Sequence, residues 1–293
     1  MPRVAANGID IEYDEHGEPG DPPVLLIMGL GAQMIAWDDE FVAALAARGL
    51  RVIRFDNRDV GLSTWFDHAG VPDLAGALGA GRVPPPSYTL GDMAADAAGL
   101  LDALGIDRAH VVGASMGGMI AQTFALDHPQ RTATLTSIFS TTGDPAVGQP
   151  HPEVMAPLFF APRPTTREEA IEQDVRASKL IASPGFPPEE ERLRARSGAA
   201  YDRAFHPDGT VRQTVAIINQ PDRTPALRGL ELPTLVIHGD ADPLVDPSGG
   251  RATAEAVPGA ELWVIPGMAH DLPPALFGEI SGRIAAHCLA TEP

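Results

Sequence analysis

The chain has 293 residues, 44% of them hydrophobic, and a formal net charge of −18 at pH 7. That apolar content suffices for a sizeable core without covalent staples, and the single cysteine, Cys288, excludes an intrachain disulfide or a cysteine metal cluster. The acidic balance argues against a nucleic acid or an anionic membrane surface as a partner held by charge.

The first residues, MPRVAANGIDIEYDEHG, carry acids early and lack the apolar run of a signal peptide, and no uninterrupted apolar run reaches spanning length. A soluble cytoplasmic protein is expected. Ile9–Tyr13 alternates like a half-buried strand, and Val24–Met28 is a continuous apolar run followed by Gly29-Leu30-Gly31. A helical stretch from Trp37 to Arg48 stops at Gly49, and Arg51–Asp56 reads as the next strand. Beyond a Pro/Gly-rich loop, Thr89 suits the N-cap of a helix to Leu104 that Gly105 closes. His110–Ala114 is a strand, Met116–His128 a helix stopped by Pro129, and Thr134–Phe139 a further strand. After an interruption the rhythm resumes with a strand at Pro233–Gly239, a helix at Pro247–Val257, a strand at Glu261–Gly267 and a closing helix at Pro273–Cys288.

Strands alternating with helices predict an α/β fold, a mostly parallel sheet covered on both faces, with ligands at the carboxyl ends of its strands. Gly29–Gly31, Asp56–Gly61 and Ser115 all fall at such ends. The interruption, residues 141–230, clusters prolines and carries charged helical patterns at Arg167–Ile181 and Glu189–Ala204 without strand signals. It reads as a mainly helical lid inserted into one core domain formed by residues 1–140 and 231–293.

Gly113-Ala114-Ser115-Met116-Gly117 fits G-x-S-x-G, placed between a predicted strand and a predicted helix. A serine on so sharp a turn needs small neighbours two residues away on either side, which Gly113 and Gly117 provide. A hydroxyl is a weak nucleophile at neutral pH and needs a base within hydrogen-bond reach. Of the nine histidines, His270 is the candidate, because its loop follows the last predicted strand at the same sheet edge as Ser115. His110, His128 and His238 suit structural roles, and the other histidines lack a context that points to chemistry. A carboxylate must orient the imidazole. The loop HGDADPLVDP offers Asp240, Asp242 and Asp246, with Asp242 the choice and Asp240 the reserve. Backbone amides must receive the developing oxyanion, and Met116 N–H and Leu30 N–H are the expected donors. Arg58 is read as pairing with a carboxylate rather than touching substrate.

With these residues assembled, the chain resembles the α/β-hydrolase superfamily over nearly its whole length, through GASMGG, HGDADPLV and PGMAH in that order. FDNRDVGLS is similar to the D-x-R-G-x-G-x-S loop of that family, with Asp59 where glycine is usual. LLIMGLGAQ is similar to its oxyanion loop, with Met28 where a bracing histidine often stands. DPLV spacing in related sequences favours Asp242 over Asp240. Within the superfamily the sequence looks most like the aclacinomycin methylesterase group, which hydrolyses a methyl ester on an aromatic polyketide. The resemblance implies a serine carboxylic-ester hydrolase acting on a small molecule, with no metal or organic cofactor, and the serine argues against haloalkane dehalogenase or epoxide hydrolase chemistry. Lactone, carbon–carbon, peptide or perhydrolytic chemistry on the same triad is the alternative, and a silent binding protein on the same fold is another. Met155, Leu158, Phe159, Phe160 and Phe186 are candidates to line a substrate pocket or to form the lid's own core. Composition offers no visible interface patch, so the oligomeric state stays open.

Overall fold

The computed structural model describes residues 2–290, so residue 1 and residues 291–293 of the expected core domain lie outside the described residues. Eight strands form one sheet in the order β1-β2-β4-β3-β5-β6-β7-β8. They are β1 (Arg3–Ala6), β2 (Ile9–His16), β3 (Pro23–Ile27), β4 (Arg51–Phe55), β5 (Ala109–Ala114), β6 (Thr132–Ile138), β7 (Thr234–Gly239) and β8 (Glu261–Ile265). From β4 to β8 the pairing is parallel, while β1 and β2 add an antiparallel edge.

Parallel strands covered on both sides need apolar residues at every position rather than at alternate ones, and β3 shows why. Leu25 and Ile27 pack into one core with α3 (Leu90–Ala103) and α4 (Met116–Asp127), while Val24 and Leu26 pack into the other with α1 (Asp39–Ala46) and α11 (Phe277–Leu289). All four are fully buried, each contributing on the order of 1.5–3 kcal/mol of transfer free energy. The helices begin where their caps dictate. Thr89 and Asp92 exchange bonds in a capping box at the head of α3. Asp38 accepts from Glu40 N–H and starts α1 two residues after Trp37, which follows a short 3-10 turn at Met34–Ala36. The hairpin β1–β2 is absent from the sequence reading although Asn7-Gly8, at φ 49° and 78°, is the dipeptide that a two-residue turn of this kind demands.

The register of the parallel strands aligns their carboxyl ends. Ile27 lies opposite Gly113, Ala114 opposite Ile138, Ile138 opposite Ile237, and Gly239 opposite Ile265. Every loop that leaves these strands therefore emerges at one edge.

Between the neighbouring strands β6 and β7 the chain runs through α5 (Pro152–Phe159), α6 (Arg167–Leu180), α7 (Glu190–Arg203), α8 (Pro207–Ile218) and α9 (Thr224–Leu227). The two charged stretches read from sequence become α6 and α7, which pair around Ile171, Val175 and Leu193. α8 carried no helical signal in that reading, and neither did the short α2 (Leu74–Gly79). α10 (Ser248–Ala256) completes the core. No described helix is long and apolar enough to cross a membrane.

Candidate active site

Ser115 joins the end of β5 to the start of α4 at φ 57° and ψ −122°, outside the regions that L-residues favour. Such a conformation costs about 1–3 kcal/mol and persists only where its surroundings over-determine it. Here Ser115 N–H donates to Ile138 O at 2.9 Å, and Ser115 O accepts from Ser140 Oγ at 2.8 Å and from the Gly118 amide at 2.9 Å. Gly113 and Gly117 are required by packing. A Cβ on Gly113 would overlap the Gly117 carbonyl, and one on Gly117 would overlap the Ile27 carbonyl.

The hydroxyl meets a histidine. Ser115 Oγ lies 2.9 Å from His270 Nε2, and His270 Nδ1 lies 2.8 Å from Asp242 Oδ2. A carboxylate only accepts, so Nδ1 carries a hydrogen, and in the neutral ring Nε2 is then the nitrogen that faces the serine with its lone pair. Asp242 Oδ1 accepts from the Leu244 and Val245 amides, both at 2.9 Å. Burial works to raise the Asp242 carboxyl. The charge of His270, the nearby His238 imidazole, the hydrogen bond from His270 and the Val245 amide outweigh it and hold the group well below the usual carboxylate range. The other two aspartates serve their turns: Asp240 accepts from Gly267 N–H at 2.7 Å and Asp246 from Ser248 N–H at 2.9 Å.

Sequence reasoning missed several neighbours of this relay. His238 is fully buried, donates from Nε2 to Val245 O at 2.9 Å and stands 3.5 Å from Asp242 Oδ2. Phe139, at φ 35°, packs its ring against the His270 imidazole, with centroids 4.7 Å apart and the planes tilted by 52°. The inserted segment itself grips the histidine loop: His270 N–H donates to Ile181 O at 3.0 Å, Ala269 N–H to Ser183 Oγ at 2.8 Å, and Gly185 N–H to Gly267 O at 2.9 Å. Ser183 also hydrogen-bonds Asp271, whose carboxyl burial nevertheless pushes up. No signal in the sequence marks Ser183, a lone hydroxyl in a loop.

On the other side of Ser115, the loop after β3 passes so close that a Cβ on Gly29 would stand 3.1 Å from Ser115 Cβ. Leu30 is half-buried against the α3–α4 core, and Met116 is the buried first residue of α4, where helix amides lack an intrahelical partner. The loop after β4 backs this arrangement. Asp56 accepts from Met34 N–H at 2.8 Å and pairs with Arg203 at 2.7 Å, and Asn57 Nδ2 donates to Met28 O at 2.9 Å. Arg58 pairs with buried Asp96 at 2.6 and 2.7 Å, so its role is structural.

The five apolar candidates do not form the insertion's own core, which is Ile171, Val175 and Leu193. Met155, Leu158 and Phe159 are half-buried on α5, Phe160 is exposed, and Phe186 packs on the sheet-side core that contains Met28, Phe139 and Met268. Among the described residues no group of three or more histidine, cysteine, aspartate or glutamate side chains is arranged to hold a metal ion.

A nucleophile elbow at the end of a central parallel strand, with acid and histidine on later loops of the same edge, is a family signature. The profile of the family described as alpha/beta hydrolase fold matches residues 22–273. The chain belongs to the α/β-hydrolase family. This α/β-hydrolase is 34% identical to a rhodomycin D methylesterase of Streptomyces sp. (strain C5), covering 94% of this chain and 93% of that one. It is 30% identical to a 2-hydroxy-6-oxononadienedioate/2-hydroxy-6-oxononatrienedioate hydrolase of Burkholderia vietnamiensis, over 87% of this chain and 82% of the other. Among solved structures, a meta-cleavage product hydrolase from Pseudomonas fluorescens IP01 matches with a TM-score of 0.77 at 20% identity, covering 100% and 98% of the two chains. That likeness concerns the fold.

Proposed function

We propose that this α/β-hydrolase is a serine esterase that cleaves a carboxylic ester of a small hydrophobic molecule, a methyl ester in the first instance, through an acyl-enzyme. The observation that carries the reading is the relay Ser115–His270–Asp242, at 2.9 and 2.8 Å, ending on a serine held in a strained turn. The 34% likeness to a rhodomycin D methylesterase supports the choice of ester.

Ser115 Oγ attacks the acyl carbon as its proton passes to His270 Nε2. Asp242 stabilises the resulting imidazolium through Nδ1–H. The Leu30 and Met116 amides receive the oxyanion. Collapse of the tetrahedral adduct breaks the bond to the alcohol oxygen, which takes the proton from His270. Water, deprotonated by the same imidazole, then attacks the acyl carbon and releases the acid and Ser115 Oγ–H. In this reading residues 141–230 act as a lid, and Met155, Leu158, Phe159, Phe160 and Phe186 supply its apolar lining. An apolar lining of that kind suits an aromatic ester. A second reading, hydrolysis of an oxo-dienedioate by the same serine, is favoured by the 30% likeness to the Burkholderia vietnamiensis hydrolase.

Ser115→Ala tests the assignment. Turnover of p-nitrophenyl acetate and of an aromatic methyl ester falls by about 10³-fold or more, with the circular dichroism spectrum unchanged. Unaltered turnover in that variant contradicts it. A panel that adds an oxo-dienedioate separates the two readings by relative kcat/KM.

A further inference from the structure

One helix of the insertion, α8, reaches both the loop after β3 and the loop after β4. Asp59 stands at φ 71°, a left-handed conformation in which aspartate is better tolerated than most residues. Its carboxylate accepts from Arg212 Nε and Nη2, both at 2.7 Å, from Tyr88 Oη at 2.7 Å and from Phe66 N–H at 2.7 Å. Arg212 and Asp59 are both fully buried. This pair docks the first turns of α8 on the loop after β4, so closely that a Cβ on Gly209 would overlap the Asp59 carbonyl.

The next residue is Gln213, also fully buried. Its Nε2 donates to Arg58 O at 2.8 Å, and its Oε1 accepts from Gly31 N–H at 2.8 Å. The two bonds fix which end of the amide faces which partner, so the side chain has one orientation. Thr210, one turn earlier, lies where a Cβ on Gly31 would be 2.8 Å from its Oγ1. Holding Gly31 N–H fixes the Leu30–Gly31 peptide plane, and through it the direction of the neighbouring Leu30 amide.

We propose that Gln213 is a positioning residue for the oxyanion loop, bracing it from the helical insertion through Gly31 N–H and Arg58 O. The inference rests on the serine-esterase reading. It implies that α8 and the oxyanion loop move as one body, so that displacing the insertion also disarms the oxyanion site. Gln213 touches no substrate. Its effect is confined to charge stabilisation in the transition state and leaves ground-state binding of a small ester unchanged.

The test is Gln213→Leu, assayed on p-nitrophenyl acetate with kcat normalised to the serines that a fluorophosphonate titrates. Wild type is expected to hydrolyse the ester and to be labelled at Ser115. In the variant, kcat per titrated serine falls about 10- to 100-fold, a smaller loss than deleting an oxyanion donor gives, with KM within about twofold. The inhibition constant of a trifluoromethyl ketone, whose adduct carries the oxyanion, rises by the same factor. Gln213→Met, similar in length, serves if the leucine variant does not fold. A variant with wild-type kcat per titrated serine, whether or not its thermal stability drops, overturns the inference and leaves the esterase reading intact. A loss confined to KM does the same. A wild type that is neither active nor labelled removes the esterase reading and the inference with it.

Discussion

Asp242 shows how much of the candidate chemistry depends on a single buried charge. Its two oxygens are spoken for by two amides on one side and His270 on the other, with His238 nearby. Asp242→Asn keeps this shape but offers His270 either an amide N–H or a weaker acceptor, which favours the wrong imidazole tautomer. A loss in kcat of about 10⁴-fold is expected on an activated ester at neutral pH, with the melting temperature little changed. Steady-state kinetics beside a thermal scan checks it. Ser115, Asp242 and His270 were legible because each sits in a short motif at the end of a predicted strand, and chain order did the rest. His238, Phe139 and Ser183 were not, since a histidine or phenylalanine in a strand and a serine in a loop carry no spacing signal. Their importance comes from strand register and from a segment about 85 residues away in sequence, as the Ser183–Asp271 separation of 88 illustrates.

Among elements, α8 is where sequence and structure part most. The stretch PDGTVRQTVAII reads as polar, with a proline at its head and a glycine in its first turn, yet Arg212, Gln213 and Val215 are buried. Polar side chains that face inward defeat an amphipathic reading, because the pattern of helix faces assumes that polar means outward. The cost of such burial is met by partners: Arg212 by Asp59, Gln213 by two backbone groups. Burial alone raises the Asp59 carboxyl, but Arg212, Phe66 N–H and Tyr88 bring it below its ordinary value of 3.8. Its contribution to stability is therefore full above that pH and is lost as pH falls through the lower folded value. Arg212→Leu leaves Asp59 buried without its cation, and a loss of about 3–5 kcal/mol is expected in urea unfolding at pH 7. The gap between wild type and variant should narrow as pH falls toward 4, because protonation relieves the unpaired carboxylate. A gap that stays constant with pH would mean that lost packing, rather than charge, sets the cost. The Asn7-Gly8 hairpin is the opposite case, a local turn signal that was present in the sequence and sufficient on its own.

At the scale of the whole molecule, the alternation of strands and helices was enough to anticipate a parallel sheet with both faces covered, because each half of that pattern is a local property. The docking of residues 141–230 is not local. It reaches the loop after β3 through Gln213, the loop after β4 through Arg203 and Arg212, and the histidine loop through Ile181, Ser183 and Gly185. The insertion thus holds the loops on both sides of Ser115. All of this has functional meaning only if Ser115 is the nucleophile. Incubation with a fluorophosphonate, followed by peptide mass spectrometry, asks that directly. One adduct per chain is expected, on Ser115, absent from Ser115→Ala and strongly slowed in His270→Ala. An adduct on another residue, or none on a folded wild-type chain, would contradict it.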